Sequence, residues 1–456
     1  MSPSPPTPRR ALRYIGLGDT SGYAVAAAAL VRALRDAGTA IAWEPMLPGG
    51  ALGLGYAPAA SPEAGPQDLW PLRDDARECD IAIVHFVPEY YPHFIARERA
   101  RGTRCVVGHT VWETDRLPRH WPALINRLDA VIVPTGWNRQ VFRDSGVTIP
   151  IWVVPHLPRP ARAATAADRE RLLQRLPPLQ GRRIFYTVST WLERKSIGPL
   201  VEAFAEAFRH DDPVALVIKT TAHDLERVRR DPGHEGESVP VLPQFEAMVG
   251  RAVLRHGRLP PPICLITDEL PDGELHALHE LGDCFVSLCR AEGWGLGAFE
   301  AAQAGRPVII TGWGGPTAFL RPDAAYFVES RRVPVQPGEA NGSYTPDQHW
   351  AEPDIAAAVA ALRAVAADPA EAARRGAMAA QHIRHAIEPA AVADALLEEL
   401  ARCEARVEPA PAPAPADSAA PLEAAAPAVV PPPPASLPRR ALRRARRVLR
   451  GLMAGR

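Results

Sequence analysis

No window of the 456-residue chain holds eighteen uncharged apolar residues, so no helix of it is expected to span a bilayer. The start, Met-Ser-Pro-Ser-Pro-Pro-Thr-Pro-Arg-Arg, lacks the apolar core of a signal peptide, and the body is expected to stay in the cytoplasm. Cysteine is scarce. The six (Cys79, Cys105, Cys264, Cys284, Cys289, Cys403) form no Cys-x-x-Cys pair and have no companion histidines at metal spacing. They read as reduced core residues, which excludes a disulfide framework or a structural zinc site. No internal repeat at a period of roughly 20 to 50 residues appears, which excludes a solenoid. Net charge is absent too, with 52 basic against 52 acidic residues, but that balance hides an asymmetry. Residues 437–456 carry eight arginines and no acid; without those eight, 44 basic residues face 52 acids. A mildly acidic body is a poor nucleic-acid binder, and its basic end is a separate device.

What is present is enough for two buried cores: 47% hydrophobic residues over a length beyond one ordinary domain. Strand-like runs at Leu12 to Leu17, Ile41 to Trp43, Asp80 to Phe86, Arg104 to Gly108, Ala130 to Pro134 and Ile151 to Val154 end in turns. Helical stretches such as Tyr23 to Ala37 and Ala123 to Leu128 separate several of them, as in a parallel sheet with crossover helices. A second series starts at Ile184 to Val188 and continues through Ala215 to Lys219, Ile263 to Thr267, Cys284 to Leu288 and Val308 to Thr311. Helices Glu352 to Ala367, Ala370 to His385 and Pro389 to Ala405 close the folded body. The expected division is a first Rossmann-like domain over 1–160, a linker over 161–183 that contains a short helix, and a second such domain over 184–406. A Pro/Ala-rich segment over 407–438 cannot bury enough apolar surface to fold, and a basic tail follows over 439–456.

The most informative stretch is Ala291-Glu-Gly-Trp-Gly-Leu-Gly-Ala-Phe-Glu300. Gly293, Gly295 and Gly297 let backbone approach a ligand, and a helix opening at Leu296 would aim free amides and its positive dipole end at an anion. Glu292 and Glu300 flank that anion site, where carboxylates can accept hydrogen bonds from sugar or ribose hydroxyls. A polyol joined to a diphosphate fits this chemistry. The arrangement resembles the Glu-x7-Glu motif of the retaining glycosyltransferases of family four, which have the two-domain GT-B architecture. The resemblance implies two Rossmann-like domains with parallel sheets facing across a cleft, Glu292 on the hydroxyls of the transferred sugar and Glu300 on the ribose. It runs over roughly residues 12 to 403, strongest from Phe185 to Leu320, and includes Pro307, Gly314-Gly-Pro-Thr and Trp350-Ala-Glu-Pro-Asp.

Other segments supply the rest of a site. Gly16-Leu-Gly18-Asp-Thr-Ser-Gly22 follows the first strand and opens a helix, a reasonable phosphate contact. Its spacing is not the dinucleotide fingerprint, although Glu44 sits where a ribose-binding acid would lie, so an oxidoreductase is a rival. Family members often carry Gly-Tyr-Gly here, and Ala24 replaces the last glycine. His109 matches the family histidine that meets the transferred sugar, and Glu113 and Asp115 in the next loop could orient acceptor hydroxyls. Arg194 and Lys195 can neutralise a diphosphate, the arginine as a fork and the lysine as a point charge. Lys195 matches the family lysine; Thr190 stands where the family has arginine, and Arg194 is the substitute. Lys219 is a further candidate, and Asp268-Glu-Leu270-Pro resembles the segment lining the nucleobase.

The resemblance implies transfer of a sugar from a nucleotide-sugar donor to a glycan, lipid-linked or other hydroxyl acceptor with retention of configuration. It implies no obligatory metal, and no Asp-x-Asp loop suits one. A nucleotide-sugar epimerase of the same architecture and a silent nucleotide-sugar-binding protein are the alternatives. In the tail, Leu442, Ala445, Leu449 and Leu452 recur at helical spacing among Arg439, Arg440, Arg443, Arg444, Arg446, Arg447 and Arg450. The stretch Arg439 to Arg456 reads as an amphipathic helix lying on an anionic membrane surface, here the inner face of the cell membrane. It has no aromatic residue to stack on bases, and no nucleic-acid partner is expected.

Overall fold

A computed structural model of the chain describes residues 11–48, 55–61, 65–74, 76–159, 163–224, 239–337, 339 and 343–406. The Pro/Ala segment and the basic tail lie outside the described residues. Six apolar runs and one short antiparallel addition build the first sheet: β1 (Leu12–Leu17), β2 (Ile41–Pro48), β3 (Tyr56–Pro58), β4 (Ile81–His85), β5 (Cys105–His109), β6 (Ala130–Val133) and β7 (Ile151–Val153). Their order is β3-β2-β1-β4-β5-β6-β7, parallel except for β3. The second sheet has β8 (Arg183–Val188), β9 (Val214–Lys219), β10 (Ile263–Ile266), β11 (Cys284–Ser287), β12 (Val308–Thr311) and β13 (Tyr326–Val328) in the order β10-β9-β8-β11-β12-β13.

Both orders reverse direction beside the first strand of their sheet, between β1 and β4 and between β8 and β11. A crevice opens beyond the carboxyl ends of the strands at such a reversal, and ligands of open α/β sheets bind there. The loops that matter are therefore those leaving β1 and β4 in the first domain and those leaving β8 and β11 in the second. They hold Gly16 to Gly22 with His85, and Thr190 to Lys195 with Glu292 to Gly295. The fold is the expected α/β pair of Rossmann-like domains.

β2 runs past Trp43, where the sequence reading stops it, because Glu44 belongs to the core. It is 3% exposed, and Arg97 clamps it with two bonds of 2.6 and 2.9 Å. Buried Arg13 and Glu98 complete this charge group. Glu44 therefore has no ribose to receive, and the oxidoreductase reading loses its acid. The helix expected from Glu352 begins instead at Ile355. Glu352 lies in a strand, His349–Pro353, that pairs antiparallel with Ser330–Pro334, and Asp354 then caps the helix by accepting from the Ala357 amide at 2.9 Å.

Several further helices escape the sequence reading. The helix Tyr91–Ala100 buries Glu98 together with Tyr91, Phe94 and Ile95, so a charged letter interrupts its apolar face. The helices Gly136–Asp144 and Asp272–Leu281 likewise bury a polar side chain, Asn138 and Glu274, beside their apolar residues, and Val241–His256, which buries Val241, Phe245 and Ala252, is missed as well. The short helix expected in the linker is Ala166–Leu173, capped by Thr165 and packed on Asp272–Leu281 of the second domain.

The end of the body departs most from the expected division. The helix Pro369–Ala386 packs on the second domain, against the helix Leu296–Gln303, but the helix Pro389–Arg406 crosses back. It lies on the helix Gly22–Asp36 and on β5 of the first domain, burying Ala393, Leu396, Leu400 and Cys403. Its apolar stripe was legible in the sequence; the domain it covers was not.

This placement makes the last helix part of the first domain's core. Leu400→Ala, at a side chain only 1% exposed, should cost about 2 to 5 kcal/mol. Chemical denaturation should show the loss in the transition of the first domain; an unchanged midpoint would mean the helix is only appended.

Candidate active site

Lys195 and Glu292 meet across the crevice of the second domain. The loop after β8 forms a single turn at Glu193–Lys195, and the backbone then passes through Ser196 at φ 52°, ψ 44°. Ser196 is the only non-glycine residue with positive φ among the described residues. A left-handed step by a residue with a Cβ is costly and persists where surroundings impose it. Here it buries Ile197 in the domain core while Lys195 faces the opposite way, onto Glu292.

The loop after β11 answers it. Glu292 is 12% exposed at its side chain; Lys195 Nζ bonds one carboxylate oxygen, and Arg194 Nη1 stands 3.3 Å from the other. Burial pushes the Glu292 carboxyl upward, but the two cations more than offset that and hold it below the ordinary carboxylate range. Glu292 is therefore ionised at neutral pH. Backbone tightens the group: the Arg290 amide donates to the Arg194 carbonyl at 2.7 Å, and Arg194 donates to the Ala291 carbonyl at 2.8 Å.

Glycine is required here for space as much as for rotation. A Cβ on Gly293 would sit 2.0 Å from Val111 of the first domain, and one on Gly315 would sit 2.1 Å from the Gly293 carbonyl oxygen. Gly295, at φ 91°, then turns the chain into the helix Leu296–Gln303, whose first amides have no carbonyl one turn back. Leu296 packs toward Gly22, so the glycine loops of the two domains face one another. Gly16 and Gly18 serve their own domain: Gly16 faces Ala27 and His85, and the Gly18 amide donates to the Met46 carbonyl at 2.9 Å.

Arg194 also reaches the other domain. Its Nη2 stands 3.2 Å from Glu113, which accepts from the Tyr344 hydroxyl at 3.1 Å. Glu113, read as an acceptor-orienting acid, is thus held on the same cation as Glu292. Asp115 ties the domains through backbone, accepting from the His349 amide at 2.7 Å. Lys219 is not brought into this group; its ammonium donates to the Thr220 carbonyl at 3.0 Å, and burial lowers its pKa.

Glu300 lies one helical turn further in and lines a separate cavity of about 340 Å³ with Arg159, Leu275, His276, His279 and Gln303. Arg159 Nε is 2.6 Å from Glu300, and its Nη1 donates to Asp272 at 2.7 Å. Burial raises the Glu300 carboxyl, while His279 and Arg159 pull it down more strongly, so it too stays ionised. Leu270 is half-buried just before the helix Asp272–Leu281, whose side chains form one wall of this cavity. Arg159 had no motif to announce it, being an arginine in a Pro-rich and Arg-rich linker.

His109 belongs to a buried row of rings. It stacks on His85 at 3.7 Å, and the Tyr14 hydroxyl lies 2.9 Å from His85 Nδ1 and 3.3 Å from His109 Nδ1. His156 follows at 6.0 Å and meets Trp294 of the glycine loop at 5.4 Å. One hydroxyl donates a single proton, so one of the two Nδ1 atoms accepts from Tyr14 and the other donates to it. His109 Nε2 is buried without a hydrogen-bond partner among the described residues. Burial lowers all three histidines, His156 to about 4, and they are neutral at pH 7.

Residues 272–396 match the family described as Family 4 Glycosyltransferase in conflict systems. The matched stretch holds both Glu292 and Glu300. Solved structures share the GT-B fold at identities low enough that the likeness is one of fold. HepE from Anabaena in complex with UDP-glucose is 14% identical with a TM-score of 0.59, over 86% of this chain and 100% of that one. Sucrose-phosphate synthase from Thermosynechococcus elongatus is 16% identical with a TM-score of 0.56, over 87% and 100%. A TarM variant from S. aureus, in complex with fondaparinux, alpha-GlcNAc-glycerol and UDP, is 16% identical with a TM-score of 0.51. The match covers 73% of this chain but spans only 57% of TarM. No curated protein matches the sequence.

The neutral histidine row sets a pH dependence. The unfolded chain takes up protons below about pH 6.5 and the folded row does not, so their stabilisation is complete above that value and is lost as pH falls toward 4. Folding stability should drop by up to about 1.4 kcal/mol per pH unit for each histidine in that window. Denaturant titrations between pH 7.5 and 5 check it, and His156→Asn should flatten the slope; equal slopes in both proteins would contradict the neutral row.

Proposed function

We propose that the chain transfers a hexose from a UDP-sugar to a hydroxyl acceptor with retention of anomeric configuration. The observation that carries this reading is the pairing of Lys195 and Arg194 with an ionised Glu292 at the mouth of the helix Leu296–Gln303. In the free enzyme these charges compensate one another. A bound diphosphate offers the two cations a new partner, and Glu292 then turns to the hydroxyls of the sugar. The choice of uridine follows the solved relatives in complex with UDP-glucose and UDP.

As the anomeric bond breaks, negative charge grows on the departing diphosphate. Lys195, Arg194 and the helix amides would meet it in a site screened from water, where such contacts act most strongly. Glu300 would hold the ribose, displacing Arg159, and His109 would meet the sugar from the first domain. Retention would follow from attack on the face the diphosphate leaves, with a phosphate oxygen accepting the acceptor proton. We infer no obligatory metal, since cations and amides already converge on the diphosphate position. The acceptor is a glycan, lipid-linked or other hydroxyl compound, and the arginine-rich tail would hold the enzyme on the inner face of an anionic membrane.

Donor consumption measured with and without acceptor separates the readings: a transferase needs the acceptor, an epimerase does not, and a silent binder consumes nothing. Lys195→Ala should lower kcat by about 100-fold as well as raise KM. Glu300→Ala should weaken UDP binding by roughly 1.5 to 3 kcal/mol, whereas Glu292→Gln should mainly slow turnover. A normal kcat in Lys195→Ala at saturating donor would return this lysine to a structural role.

The tail makes a separate claim. Removing residues 407–456 should abolish sedimentation with anionic vesicles at low salt and leave UDP affinity unchanged, because both cores end before it. Full-length protein that stays in the supernatant would refute the membrane assignment.

A further inference from the structure

The returning C-terminal helix brings two thiols together. Cys105 opens β5 and Cys403 sits in the last turns of Pro389–Arg406; their sulfurs are 2.8 Å apart although the residues are separated by 298 positions. Both are free thiols, Cys105 fully buried and Cys403 8% exposed. Other cysteines are placed differently, Cys79 and Cys284 facing backbone carbonyls of Arg77 and Phe285. Cys403 also borders a cavity of about 180 Å³ with Asp129, Trp152, Glu399, Arg402 and Arg406, so one of the two sulfurs is within reach of a small solute. Cys105 donates its thiol hydrogen to Cys403, and that bond together with Arg406 and Arg99 favours the Cys403 thiolate.

We propose that Cys105 and Cys403 form a peroxide-sensitive latch that fastens the C-terminal helix to the sheet of the first domain. The Cys403 thiolate attacks one oxygen of hydrogen peroxide; an S–O bond forms, the O–O bond breaks and hydroxide leaves to become water. Cys105 then attacks the Cys403 sulfenic sulfur, the S–S bond forms and the S–O bond breaks, releasing a second water. Two thiols are oxidised and one peroxide is reduced. A dithiol reductant reverses the step by thiol–disulfide exchange. Because the helix continues from Pro369–Ala386, which packs on the Glu300 helix, the latch ties the nucleotide-side domain covalently to its partner at a second place.

The test is treatment of the full-length protein with hydrogen peroxide, followed by intact mass, peptide mapping under non-reducing conditions and hydrogen exchange over residues 389–406. The expected product is lighter by two hydrogens, with one cross-link joining the Cys105 and Cys403 peptides. Exchange in the helix should slow and return to its original rate after dithiothreitol. Cys105→Ser should leave Cys403 as an uncoupled oxygen adduct, and the mapping of the wild-type protein stands even if that variant misfolds. Oxygen adducts on wild-type Cys403 without the cross-link, or no reaction at a dose that fully oxidises added N-acetylcysteine, would overturn the latch.

Discussion

Arg194 is the residue on which the arrangement of the two domains turns. Its guanidinium faces Glu292 of its own domain and Glu113 of the other, and it also fixes the Ala291 carbonyl. A fork of five donors can serve three acceptors at once; an ammonium in its place could not do so in one plane. Lys195 then adds the point charge that keeps Glu292 ionised in a buried setting. The second domain's charge centre and its contact with the first domain are therefore one structure.

That compensation also explains how a buried cluster of two cations and two carboxylates is tolerated. Isolated buried charges are strongly disfavoured, and paired ones with satisfied hydrogen bonds are not. The same logic keeps Glu300 on Arg159 and Glu44 on Arg97. The first of these pairs lies beside a cavity and is open to exchange of partners. In the second, Glu44 also faces buried Arg13 and belongs to the interior of the first domain.

The sheets were legible because parallel strands are covered on both faces and read as unbroken apolar runs. The site was legible where backbone demands a particular residue: Gly293, Gly295 and Gly315 mark close approaches, and Glu292 and Glu300 stand at fixed distances along that same loop and helix. What escaped were features created by tertiary pairing. Glu44 looked like a ligand acid because nothing nearby in sequence announces Arg13 or Arg97. His85 and His156 are far apart along the chain and become neighbours of His109 only through the order of the strands. The hairpin Ser330–Pro334 with His349–Pro353 is short and charged on one strand, so neither half has the pattern of a buried strand.

The return of the last helix has a mechanical consequence. The chain passes between the domains near residues 154–166 and again near 386–389. Two bodies joined at one point can swivel in any direction, but two bodies joined at two points share an axis through both. Relative motion is thereby reduced to a rotation about that line. Displacement in such a rotation grows with distance from the axis, so each contact between the domains has a lever arm set by where the chain crosses. An ion pair that bridges the domains, such as Arg194 with Glu113, therefore resists such a rotation in proportion to its distance from that line.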